Sequence, residues 1–422
     1  MSTLLRNGYL VDPWHCREQQ ADLYLENGKI QVIGNNLQIH ADHILDLQGL
    51  TVIPGLIDSY AHLPNQHPQT IANLLEMAVK GGVTSIVFAP DSEPILDEPG
   101  LVEVLLENAA KLQLARAYCF GALTKNLDGQ RLNELVALTE SGCLGFSMGD
   151  AAIQDDILIQ AMRYAATFDY LLWLKPCARA MTLGGIAFDG KVAMRLGLPP
   201  RPHAAETAML AKLGLLAEDT EARVHIGPLS LQKSAQFMAR FGKAWNITLS
   251  TTMTHLLFCE DHCAFFDSHL LFDPPLASLE DQEALNHALI QGRIDLIYTD
   301  HRTLSKEAKE RPFSEAKPGT AIYPYTLPLL LLWQNRQQLS LIEAVRPWTM
   351  VPAQILGIPG GMLAEGAPAD LCIFDPEKLL SANEDLPLFH HLDEGRHNLR
   401  GQVMYTFVNG RCVYSADHRE KR

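Results

Sequence analysis

Apolar and polar positions alternate in short runs at both ends of this chain, and the period changes in between. Residues 4–11, 21–25 and 29–33 alternate, and Asn27-Gly28 separates the last two runs. An Asn-Gly step between alternating runs predicts a tight hairpin. The same style returns near the C-terminus, where residues 370–374 and 403–408 read as strands and Asn409-Gly410 as a second tight turn before 411–414. From about residue 54 onward, continuous apolar runs at 84–89, 170–174 and 294–298 suit strands buried on both faces. They alternate with helical stretches at 69–80, 100–112, 131–140, 204–218 and 231–241. Strand–helix alternation over nearly three hundred residues predicts parallel βα units, and no Gly-rich phosphate fingerprint follows an early strand. The predicted fold is a (β/α)8 TIM-like barrel over 54–345. Residues 1–53 and 346–422 supply the two parts of a small β-sandwich, the second with a tail.

Composition narrows the function without fixing it. The 422 residues carry a net charge of −15, which disfavours a nucleic-acid partner, because phosphate binding needs a basic face. No apolar run reaches the ~20 residues of a membrane span, nor does the N-terminus hold a signal-peptide core, so a cytoplasmic location is expected. Eight cysteines lie scattered except Cys259 and Cys263, and no second pair completes a structural zinc site. Free thiols are expected. No G-x-S-x-G elbow offers a serine nucleophile.

Four segments in order carry a resemblance. They are Pro54-Gly55-Leu56-Ile57-Asp58 leading to His62, Phe272-Asp273-Pro274-Pro275-Leu276, Ile294 to Asp300-His301, and Gly366-Ala367-Pro368-Ala369-Asp370-Leu371. Together they resemble the dihydroorotases of the amidohydrolase superfamily over nearly the whole chain. The resemblance implies a barrel whose C-terminal mouth holds metal ions that activate water and polarise a cyclic amide, with a final aspartate shuttling the proton.

Matched position by position, the metal ligands implied by the family are mostly replaced. The first His of H-x-H is Tyr60 and the second is His62. Met148 stands for the bridging Asp, Lys175 and Pro228 stand for two later His, and the last Asp is Asp300. Asp150 lies two residues past Met148. The substrate contacts implied by the family are also changed, at Pro64, Asp91, Ala277 and Leu304. His62 and Asp300 alone fall short of the three protein ligands of a catalytic zinc.

The leading expectation is therefore a non-enzyme without a cofactor, resembling the dihydroorotase-like subunit that supports bacterial aspartate transcarbamoylase. The partner implied is the transcarbamoylase catalytic chain in a hetero-dodecamer serving pyrimidine biosynthesis. The alternative is an active dihydroorotase-type amidohydrolase with a rebuilt single-zinc site, in which His62, His225 and Asp300 converge with His255 or Asp150. A third possibility is a metal-free small-molecule barrel. Lys175 is expected to place its ammonium where a metal would sit and to bond Asp300 or Asp91, since a buried ammonium needs an anionic partner.

Overall fold

A computed structural model describes residues 2–242, 245–380, 387–392 and 399–416. The parts of the expected C-terminal segment at 381–386, 393–398 and 417–422 lie outside the described residues. Both ends of the chain meet in one eight-stranded sheet. Its strands are β1 (Ser2–Asp12), β2 (Arg17–Glu26), β3 (Lys29–Gly34), β4 (His43–Asp46) and β5 (Thr51–Pro54), joined by three strands from the far end.

Both predicted hairpin turns are present. Asn27-Gly28 and Asn409-Gly410 have φ of 52° and 77°, and of 50° and 69°. Positive φ at both central residues is the type I′ geometry that matches strand twist. Period two then sorts the side chains. Val52, Leu371 and Ile373 face a local core with Leu23 and Ile30, whereas Ile53, Cys372 and Phe374 face the main core of the barrel.

The second sheet is the barrel. Its strands are β6 (Leu56–Ala61), β7 (Val83–Phe88), β8 (Arg116–Ala122), β9 (Gly145–Ser147) and β10 (Leu171–Leu174). A small pair, β11 (Ala187–Phe188) and β12 (Pro200–Arg201), stands apart, and β13 (Val224–Ile226), β14 (Ile247–Thr252) and β15 (Leu296–Tyr298) complete the barrel. All barrel pairings are parallel. The remaining terminal strands are β16 (Leu371–Leu379), β17 (Arg400–Val408) and β18 (Arg411–Ser415); β16 pairs with β5, which brings the two chain ends together. This is the α/β barrel with an additional β-sheet domain that the alternation of periods predicts.

The helix expected at 131–140 is shorter, Leu135–Glu140. The preceding turn is held instead by Asn133, whose side-chain amide donates to the carbonyls of Asp97 and Ala122.

Two features of the barrel position the site. The seam between β6 and β15 closes just beyond the strands, through a parallel bridge of His62 and Arg302 in which the His62 amide donates to the His301 carbonyl at 2.9 Å. Below that seam, Tyr60, Phe120, Trp173 and Tyr298 fill the barrel axis, all fully buried, and Ala353 and Leu356 pack beneath them. Tyr60 stacks on Trp173 with centroids 5.6 Å apart. No helix among the described residues is long and apolar enough to cross a membrane.

Candidate functional site at the barrel mouth

Above this aromatic floor the strand ends bring charged side chains together. His62 sits one residue past β6. Its Nδ1 lies 2.9 Å from both oxygens of Asp91, and its Nε2 lies 2.7 Å from Nη2 of Arg302 and 3.1 Å from Oδ1 of Asp300. Asp300, two residues past β15, takes a left-handed φ of 51° that turns the chain at the mouth. Asp150 joins from the loop after β9, where Gly149 at φ 55° makes the bend. A side chain at Gly149 would put its Cβ 3.1 Å from the Cβ of Asp91. Asp150 accepts from Lys175, from Nη2 of Arg302 at 2.8 Å, and lies 3.4 Å from Arg179. Behind it, Asp273 accepts from Arg179 and Arg201, each at 2.7 Å.

The electrostatics follow from this interleaving. Burial works against the charged forms of Asp150 and Asp300, but Lys175 and Arg302 outweigh it and hold both carboxyls below the usual carboxylate range. Burial likewise lowers Lys175, while Asp150 and Asp300 raise it further, so its ammonium persists. His62 is pulled down by burial and by Arg302, yet Asp91 and Asp300 prevail and raise it.

The positions singled out in the sequence are dispersed as follows. His62, Asp91 and Asp300 are in contact, and Lys175 belongs to the same network. Lys175 bonds Asp150, not Asp300 or Asp91 as expected, because the left-handed bend at Gly149 carries Asp150 to the ammonium. Tyr60 lies below, its hydroxyl 3.0 Å from Oγ of Ser147. Buried Met148 accepts from the Thr124 hydroxyl through sulfur at 3.5 Å. Pro228 follows a cis peptide, and Ala277 packs with Phe188 and Leu231. Pro64 and Leu304 line an open cleft of about 280 Å³ together with His62, Asp91, Arg302 and Lys317.

The convergence expected of a rebuilt single-metal site does not occur. His225 spends its ring nitrogens on Thr248 at 2.8 Å and Ser250 at 2.7 Å and lies against Trp173 at 3.6 Å. His255 bonds Thr252 and the carbonyls of Pro274 and Pro275.

The residues at the mouth do not fit a divalent ion. Two fixed cations stand among the oxygen and nitrogen donors, and Arg302 already occupies Nε2 of His62. A dication about 3 Å from a guanidinium meets a repulsion of roughly 10 kcal/mol at an effective dielectric of about 20. Among the described residues no group of three or more His, Cys, Asp or Glu is arranged to hold a metal.

Sequence reasoning missed Arg302, Arg179 and Arg201, and met Asp273 only as part of the Phe272–Leu276 motif. One signal was available for Arg302: it directly follows the Asp300-His301 pair that carries the resemblance.

A parallel α/β barrel with its polar residues at the C-terminal mouth defines a class built for small-molecule chemistry. The Amidohydrolase family matches residues 51–413, and the chain belongs to that family. It is 31% identical over 421 residues to the dihydroorotase of Syntrophotalea carbinolica, covering 98% of this chain and 99% of that one. It is 32% identical to the dihydroorotase-like protein of Pseudomonas aeruginosa, covering 98% and 100%. The L-hydantoinase (dihydropyrimidinase) of Arthrobacter aurescens shares the fold with a TM-score of 0.85 at 20% identity, covering 98% and 96%. These relatives correct the expectation of a non-enzyme, since dihydroorotases and hydantoinases are hydrolases.

Proposed function

We propose that this chain is a dihydroorotase-type amidohydrolase of pyrimidine metabolism that works in a mixed assembly with the catalytic chain of aspartate transcarbamoylase, six copies of each. The observation that carries the hydrolase reading is full-length likeness to dihydroorotases combined with Asp300 and His62 in contact at the barrel mouth. The cleft above them suits a small cyclic amide bearing a carboxylate, or its ring-opened form, because Arg302 and Lys317 line one side. Asp300, kept ionised, is the proton acceptor there, and His62 links it to Asp91. Arg302 is the donor placed to meet charge on a carbonyl oxygen. No step passes through a metal. The partner enters through the resemblance to dihydroorotase-like transcarbamoylase subunits.

Co-expression of the two chains tests the assembly, with mass and transcarbamoylase activity measured with and without this one. A large co-eluting oligomer supports it, and a transcarbamoylase that works equally well alone, with no co-elution, removes it. Turnover of dihydroorotate and carbamoyl-aspartate is followed in the same preparations. Turnover that survives chelation and is lost in Asp300→Asn supports catalysis by the chain's own groups. Turnover conferred only by added metal overturns the metal-free site, and none in any preparation removes the hydrolase reading.

A further inference from the structure

We propose that Arg302 is an internal counter-ion that takes the place of a divalent metal at the barrel mouth, and that it locks a latent metal site. The cage is His62 Nε2, Asp150 and Asp300, a ring nitrogen facing two carboxylates, while Asp91 lies on the far ring nitrogen, Nδ1. The Arg302 guanidinium touches it on several sides. Nη2 lies 2.7 Å from His62 Nε2 and donates to Asp150 at 2.8 Å, and Nε lies 3.8 Å from Asp300. Lys175 neutralises Asp150 from the other side.

Counting the second layer, Lys175, Arg179, Arg201 and Arg302 face Asp150, Asp273 and Asp300, and Asp91 faces His62, so every carboxylate of the network has a partner before any ion arrives. A cage partnered in this way has nothing to gain from a dication. The backbone fixes this cation in place. The Arg302 amide donates to the Thr320 carbonyl at 3.0 Å, and its side chain runs against Gly319, where a Cβ would fall 2.4 Å from Arg302 Cδ. Because Arg302 also forms the bridge that closes β6 to β15, the same residue seals the barrel and fills the metal's place.

Removing the guanidinium therefore leaves His62 Nε2 and the facing carboxylates short of a cation, which is the donor chemistry of a Zn²⁺ or Mn²⁺ site. The test measures bound metal and thermal midpoint for the wild type, Arg302→Ala and Arg302→Lys, with and without Zn²⁺ or Mn²⁺. We expect the wild-type midpoint to ignore the ion. Arg302→Ala should melt lower, bind about one ion per chain and regain stability on binding it. Arg302→Lys keeps the charge and should bind none.

A folded Arg302→Ala that melts like the wild type and binds no ion overturns the proposal. If that variant does not fold, Arg302→Gln carries the same expectations. Wild-type crystals soaked in Mn²⁺ give a readout without any variant. An anomalous peak within ligand distance of His62 Nε2 overturns the proposal, and its absence supports it.

Discussion

Lys175 and His225 show at the residue scale how much depends on what surrounds a side chain. Lys175 was legible as a buried ammonium that needs a carboxylate partner. Its partner was not, because the bend at Gly149 that delivers Asp150 has no signature in spacing alone. Asp150 retains Arg302 and Arg179 when Lys175 is removed, so Lys175→Met should cost about 1–3 kcal/mol, below the full penalty of orphaning a buried charge. Chemical denaturation at pH 7 measures it, and a loss above about 5 kcal/mol would mean the remaining cations do not share the charge.

His225 is neutral in the fold because burial lowers it from 6.5 to about 3. The unfolded chain takes up a proton below about pH 6.5 while the folded chain does not. Stability contributed by the neutral ring is therefore present above that pH and lost as pH falls toward 3, at up to about 1.4 kcal/mol per pH unit. His225→Gln should flatten the acid side of the stability profile by about that slope. An unchanged slope would place the titration elsewhere.

At the scale of elements, strands and hairpins were the legible part. Period two and the Asn-Gly steps fix the terminal sheet, and apolar runs fix the barrel strands, since both depend on local pattern. The segment beyond β15 was less legible. It is held by Lys309, whose Nζ donates to the carbonyls of Ser268 at 2.7 Å and Lys317 at 2.9 Å, while the Ser268 hydroxyl donates back to the Lys309 carbonyl at 2.6 Å. Burial lowers this amine to about 8. Contacts to backbone carbonyls carry no residue code, so a sequence cannot announce them. Lys309→Met removes the two donated bonds, and amides in 305–319 should then exchange about ten-fold faster, matching a loss near 1.4 kcal/mol. Uniform exchange across the chain would contradict a local staple.

For the whole molecule, the barrel and terminal sheet are joined through Arg116 at the start of β8. Its Nε and Nη2 lie 2.7 and 3.2 Å from the two oxygens of Asp370, which also accepts from the Asn409 amide at 2.7 Å. Arg116→Met leaves Asp370 buried without its cation and should lower global stability by about 2–4 kcal/mol, read as a shifted denaturation midpoint. A shift below about 0.5 kcal/mol would mean that packing and the remaining bonds, such as the Thr406 hydroxyl to the Val79 carbonyl at 2.7 Å, suffice to join the two parts.

The family and the fold were legible at this scale because several motifs recur in order. Which chemistry the mouth retains was less so. Substitutions at single positions suggested loss, whereas the folded chain joins Arg302, Lys175 and Asp150 in one ion-pair network at the barrel mouth. Elemental analysis of wild-type protein, grown with zinc and purified without chelator, tests that description most directly. We expect zinc well below one ion per chain, and one or more tightly held ions per chain would contradict it.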